Sequence, residues 1–152
     1  MKLLRVGEKG REKPAILDGD RKIRDISSHV SDLNPHNLNF ETISKIQSVD
    51  TSRLPEISSD QRIGSCITSP GKFVAIGLNY SDHAAEVGAD IPKEPIMFMK
   101  ATSSMCGPND DVEIVSGSKK LDWEVELGIV IGKEAKHISE DQSQDHILGY
   151  CL

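Results

Sequence analysis

Two glutamates separated by one residue, Glu124 and Glu126, are the side chains best suited to gripping a cation. In an extended strand, residues i and i+2 point to the same side and stand about 7 Å apart. Carboxylates of that reach can close on one ion between them. Their oxygens are hard donors, which favour Mg2+, Mn2+ or Ca2+ over zinc or copper. The same spacing arises whenever a half-buried strand alternates, so a solvated acidic face is the plainer alternative. Gly128, next on that side, leaves space for a ligand. Asp122 shares the side but lies four residues from Glu126, too far for the two to hold one ion together.

A second pair is His83 and Glu86. If a helix starts near Ser81, these residues sit at i and i+3 and share a face. A carboxylate beside an imidazole fixes its tautomer and raises its basicity, as a general base acting on water requires. An exposed ion pair on a surface helix is the plainer alternative. His29, His36, His137 and His146 sit among polar residues without ligand spacing and read as surface. Cys66, Cys106 and Cys151 are odd in number, far apart and free of any C-x-x-C pair. That pattern suits reduced thiols, and neither a disulfide framework nor a zinc site.

These side chains need elements to position them. Asp122 to Ile131 alternates strictly, placing Trp123, Val125, Leu127, Ile129 and Ile131 on one apolar face. We expect a strand there, the longest of the chain, with that face against a core. Lys72 to Leu78, Ile96 to Lys100 and Val112 to Val115 read as further strands. Ser81 to Val87 reads as a short helix closed by Gly88, and Gly107-Pro108-Asn109-Asp110 as a turn. Earlier, Met1 to Val6 suits a strand. Asp18-Gly19-Asp20 between two apolar stretches signals a hairpin, with glycine taking the positive φ of the turn. Phe40, Ile43 and Ile46 recur at helical spacing behind Asn39, which predicts a capped helix from Phe40 to Gln47. Breaks between Gly64 and Gly71 divide residues 1–65, a small N-terminal domain, from residues 66–152.

Composition narrows the partners. The chain has 152 residues and a net charge of -6, which disfavours nucleic acid and anionic membrane surfaces as partners. No apolar run approaches the ~20 residues of a membrane span, and the first residues lack the features of a signal peptide. These features predict a cytoplasmic protein.

Five segments together resemble the fumarylacetoacetate hydrolase family. They are Gly77-Leu78-Asn79-Tyr80 with His83, Ala84 and Glu86; Pro95-Ile96-Met97-Phe98-Met99-Lys100; Gly107 to Asp110; Asp122 to Gly132; and Gly149-Tyr150. Their family order makes the set far more specific than any one motif. The resemblance implies an α+β, mainly β fold: a mixed β-roll, incomplete here, behind a small N-terminal α+β domain. It implies that Glu124 and Glu126 bind Mg2+ or Mn2+. It also implies that His83 and Glu86 activate water from a mobile lid, and that Lys100 helps hold substrate charge. A homodimer acting on a small keto acid is the implied assembly.

The family's third metal carboxylate is an aspartate some residues past the Gly-Tyr segment, beyond Leu152. The sequence therefore reads as the N-terminal fragment of a metal-dependent hydrolase, inactive by itself. The implied reaction is cleavage of a C–C bond in a 2,4-diketo acid. Ureidoglycolate lyase and keto-acid decarboxylase, hydratase or isomerase activities of the same family remain open. So does a truncated, non-catalytic dimerising module.

Overall fold

The computed structural model describes all of residues 1–152. The chain forms two compact units, one of Met1–Thr68 with Cys106–Leu152 and the other of Ser69–Met105.

In the first unit, β1 (Lys2–Val6), β2 (Lys13–Leu17) and β3 (Ile23–Asp25) form an antiparallel meander. The alternation of β1 and β2 sorts their side chains onto two faces. Leu3 opposite Ile16 belongs to one face, and Leu4 opposite Ala15 to the other. The first face packs with Ile26, Val30, Leu33 and Ile46, and the second gathers Val6, Ala15 and Ile23. Ile46 comes from α1 (Phe40–Gln47), where the sequence places it. The Asn39 side chain accepts a hydrogen bond from the Thr42 N–H at 2.9 Å, satisfying one of the otherwise orphaned donors of the first turn. β4 (Glu56–Ile57) completes the sheet beside β3.

The β2–β3 hairpin forms as expected, but its left-handed residue is Arg21, with φ of 62°, and not Gly19. The Asp18 N–H donates to Lys22 O, and the Arg21 N–H to Asp18 O. A loop of this kind is a type I turn followed by one left-handed position, and the left-handed position falls at its end. The Asp18 carboxylate stabilises it, accepting from the Asp20 and Lys22 N–H groups and from Arg24 Nε at 2.7 Å.

The second unit holds β5 (Val74–Gly77) and β6 (Ile96–Met99), paired antiparallel, with α2 (Ser81–Glu86) between them in sequence. Both strands are shorter than the sequence suggests. Helix α2 ends as expected at Gly88, whose φ of 67° favours glycine. The Gly88 N–H donates to Ala85 O and the Ala89 N–H to Ala84 O, a Schellman arrangement that uses the carbonyls of the last turn.

In the remainder of the first unit, Gly107 to Asp110 makes the expected turn, with the Asp110 N–H donating to Gly107 O. Val112 to Val115 forms no strand. The strand expected over Asp122–Ile131 is confined to β7 (Gly128–Ile131), which pairs with β8 (Ile147–Cys151). Residues 118–127 belong to no strand. The apolar face expected against a core is open to solvent: Trp123 is 80% exposed and Ile131 60%. The expectation of a core-facing side is not met: Ile129 and Ile131 are exposed, and no second layer within these residues covers them. His146, expected at the surface, is buried, and its Nδ1 lies 3.2 Å from Lys133 O.

Candidate active site

Helix α2 carries the His83–Glu86 pair. Ala84 is its one buried residue, so the helix is anchored on that side. His83 and Glu86 stand away from it, exposed, with His83 Nδ1 3.3 Å from Glu86 Oε2. When Nδ1 carries the hydrogen toward Glu86, Nε2 is left with its lone pair and can accept a proton. The Asp82 carboxylate accepts from the His83 backbone N–H at 2.9 Å, which supports the first turn. Ahead of the helix, Leu78 has φ of 46°. A branched side chain rarely occupies that region, and the conformation costs on the order of 1–3 kcal/mol. The strained residue sits at the bend from β5 toward α2. The sequence gives no signal for it, since a glycine would be the usual choice there.

Lys100 follows β6 in the same unit. Its backbone N–H donates to Phe73 O at 2.8 Å and so extends the β5–β6 ladder by one step. Glu124 and Glu126 lie in the other unit, on the extended stretch before β7, and both are exposed. The space expected beside them at Gly128 is already filled. A Cβ on Gly128 would come within 2.6 Å of Cys151 Sγ, so this glycine accommodates a neighbouring strand's side chain and not a ligand.

The two carboxylates have the donor chemistry of a hard divalent cation, and such ions take one or two carboxylates with water completing the shell. No three His, Cys, Asp or Glu side chains converge into a fuller cluster. The carboxylate oxygens of Glu124 and Glu126 are hard donors of the kind that Mg2+ or Mn2+ takes.

The strongest electrostatic feature of the first unit is one that sequence spacing does not show. Arg62 grips Asp110 with two hydrogen bonds, Nε to Oδ1 and Nη2 to Oδ2, both 2.6 Å. Its Nη1 reaches Glu12 at 2.8 Å, and Glu12 in turn faces Arg5, which binds Asp32 at 2.6 Å. The Arg62 guanidinium and the Gly107 N–H together draw the Asp110 carboxyl down to about 2. Burial opposes ionisation of Glu12, but hydrogen bonds from Arg62 and from the backbone, with the charge of Arg5, outweigh it and hold the carboxyl below its usual range. Gly107 completes the clasp, since a Cβ there would collide with the Ile63 carbonyl.

Comparison with known proteins places these features in context. A family model described as the C-terminal domain of fumarylacetoacetate (FAA) hydrolase matches residues 72–152, more than half of the chain. The chain belongs to the fumarylacetoacetate hydrolase family. Two curated proteins, one from Burkholderia lata and one from Burkholderia ambifaria, both named as hydrolases, are 52% identical to it over all 152 residues. The chain spans about half the length of these relatives, 54% of each. The structure of an HpcE protein from Mycobacterium smegmatis matches 99% of the chain with a TM-score of 0.78 and 31% identity. A fumarylacetoacetate hydrolase from Exiguobacterium antarcticum matches with a TM-score of 0.75 and 26% identity. The chain covers 53% of each of these structures. The architecture is thus α+β and mainly β, an incomplete form of the family fold. No helix is long and apolar enough to cross a membrane.

Proposed function

We propose that this chain supplies the proton-handling and metal-carboxylate parts of a hydrolase that cleaves a C–C bond in a small 2,4-diketo acid. The observation that carries the reading is the His83–Glu86 pair, 3.3 Å apart on a helix anchored by Ala84, in a chain of the fumarylacetoacetate hydrolase family. Glu86 accepts from Nδ1–H and holds the imidazole in the tautomer whose Nε2 takes a proton from water. The hydroxyl adds to the carbonyl carbon remote from the carboxylate. The bond from that carbon to the neighbouring CH2 breaks, and the released carbon is protonated. The products are a carboxylic acid and a 2-keto acid. Lys100 supplies positive charge for the substrate carboxylate. A Mg2+ or Mn2+ ion held by Glu124 and Glu126 would supply Lewis-acid polarisation of the substrate oxygens.

The activity belongs to a chain of the relatives' full length, working as a cytoplasmic homodimer, and the 152-residue chain alone does not turn over. The test is to assay both lengths with Mn2+ on acylpyruvates. The longer chain should form acid and 2-keto acid. Its activity should fall to background in EDTA, in Glu124→Ala and in His83→Ala, while His83→Ala keeps its Mn2+ affinity. Activity that survives EDTA overturns the metal role, and equal turnover by the two lengths overturns the division of the site. Products of decarboxylation, hydration, isomerisation or ureidoglycolate cleavage would assign a sister reaction instead.

A further inference from the structure

Helix α2 leaves β5 through two residues. Gly77 is the last residue of β5, held opposite Ile96 of β6. The first turn of the helix closes on Tyr80, whose carbonyl accepts the Ala84 N–H at 3.2 Å. Leu78 and Asn79 alone lie between, so their backbone angles set the direction in which the helix leaves the strand. No side chain caps that end: Tyr80 stands at the cap position in an extended conformation and makes no capping hydrogen bond. Leu78 is left-handed, with φ of 46°, and half-buried.

The far end of α2 also has a left-handed residue, Gly88, with φ of 67°. A Cβ there would meet nothing within 4 Å, so Gly88 serves the backbone angle and not close packing. The same conformation is thus built from glycine at the exit and from leucine at the entry. Glycine reaches left-handed and right-handed angles about equally, whereas a Cβ leaves only a small left-handed region. A leucine seated in that region has little room to vary, which makes the entry the narrower joint of the two.

We propose that Leu78 is a positioning residue: its left-handed backbone fixes the angle at which α2 leaves β5, and with it the direction in which His83 is presented. A glycine at this position would relieve the strain but open the joint. Leucine carries the strain and keeps the angle narrow. The inference rests on the reading of His83 as the base that takes a proton from water. That step needs Nε2 aimed at the water, and a misplacement of about 1 Å costs about a hundredfold in rate.

The test compares Leu78→Asn, Leu78→Gly and Leu78→Val. Asparagine tolerates the left-handed region but lacks the apolar side chain, and valine has the reverse properties. In the 152-residue chain, a strong nuclear Overhauser effect between the N–H and Hα of residue 78 marks the left-handed angle. Residual dipolar couplings of the α2 and β5 N–H groups give the angle between helix and strand. The wild type and Leu78→Asn should share both signatures. Leu78→Gly should shrink the α2 couplings relative to those of β5, and Leu78→Val should lose the Overhauser effect and change the couplings. A chain of the relatives' full length is then assayed with Mn2+ on acylpyruvates. Its kcat should stay within about twofold in Leu78→Asn, fall several-fold in Leu78→Gly and fall about tenfold or more in Leu78→Val, all at unchanged KM. Should Leu78→Val not fold, the contrast between Leu78→Asn and Leu78→Gly decides. Equal losses in Leu78→Asn and Leu78→Val would make the apolar side chain the cause and overturn the proposal. Wild-type couplings and turnover in all three variants would overturn it too. Absence of turnover in the wild type would overturn the reaction and not the joint, which the couplings decide on their own.

Discussion

Strand pairs β1–β2 and β7–β8 are both antiparallel ladders rich in branched apolar residues, yet one is covered and the other is not. Ala15 in β2 is fully buried, while Ile129 in β7 is 53% exposed. Local propensity does not separate them. The difference is a second layer: α1 and the Ile26–Leu33 segment lie over the first pair, and the 152 residues hold no equivalent for the outer face of the second. A strand's alternation states which side chains prefer to leave water. Whether they do so depends on what the rest of the chain brings to them.

Substitutions can break or sharpen this contrast. The largest effect is expected at Leu33, fully buried under the first sheet: Leu33→Ala should cost about 3 kcal/mol in urea unfolding, through lost burial and the cavity left behind. A smaller effect, confined to acid, is expected at the Arg62–Asp110 clasp. The Asp110 carboxyl titrates at about 2 in the fold, below its usual 3.8. Between those values the unfolded chain binds more protons, so the contribution is complete above about pH 4 and is lost as pH falls toward 2. Urea midpoints measured from pH 5 to pH 2.5 should therefore fall more steeply in the wild type than in Asp110→Asn. Gly88→Ala, which forces a Cβ into the left-handed position, should destabilise α2 by about 1 kcal/mol and speed amide exchange at Ala89. The smallest effect should come from Ile129→Ser, within about 0.5 kcal/mol in the 152-residue chain. A loss there matching that of Leu33→Ala would show that the second pair is covered after all.

What could be read in advance followed the range of the forces involved. α1 and its Asn39 cap were legible because capping and helical periodicity act within a few residues. The β2–β3 hairpin was legible as a hairpin, while its left-handed residue depended on loop length and fell on Arg21. The His83–Glu86 contact, three residues apart, was visible in the spacing. Partnerships across long stretches were not. The fold brings Arg62 and Asp110 together and buries His146, and neither carries a local pattern. Glu124 and Glu126 were found by alternation, but the strand that suggested them is paired only from Gly128 onward, because strand pairing requires a neighbour that periodicity does not supply.

The clasp between Arg62 and Asp110 has a consequence for how the family can vary. It pins together two points that bracket the whole excursion carrying His83, Glu86 and Lys100. For a loop whose ends are already joined, extra length costs little: each doubling adds only about 0.6 kcal/mol of closure entropy. Insertions and deletions between the pinned ends are therefore cheap for the unit that holds them. Natural variation can remodel that stretch without renegotiating the stability of its support.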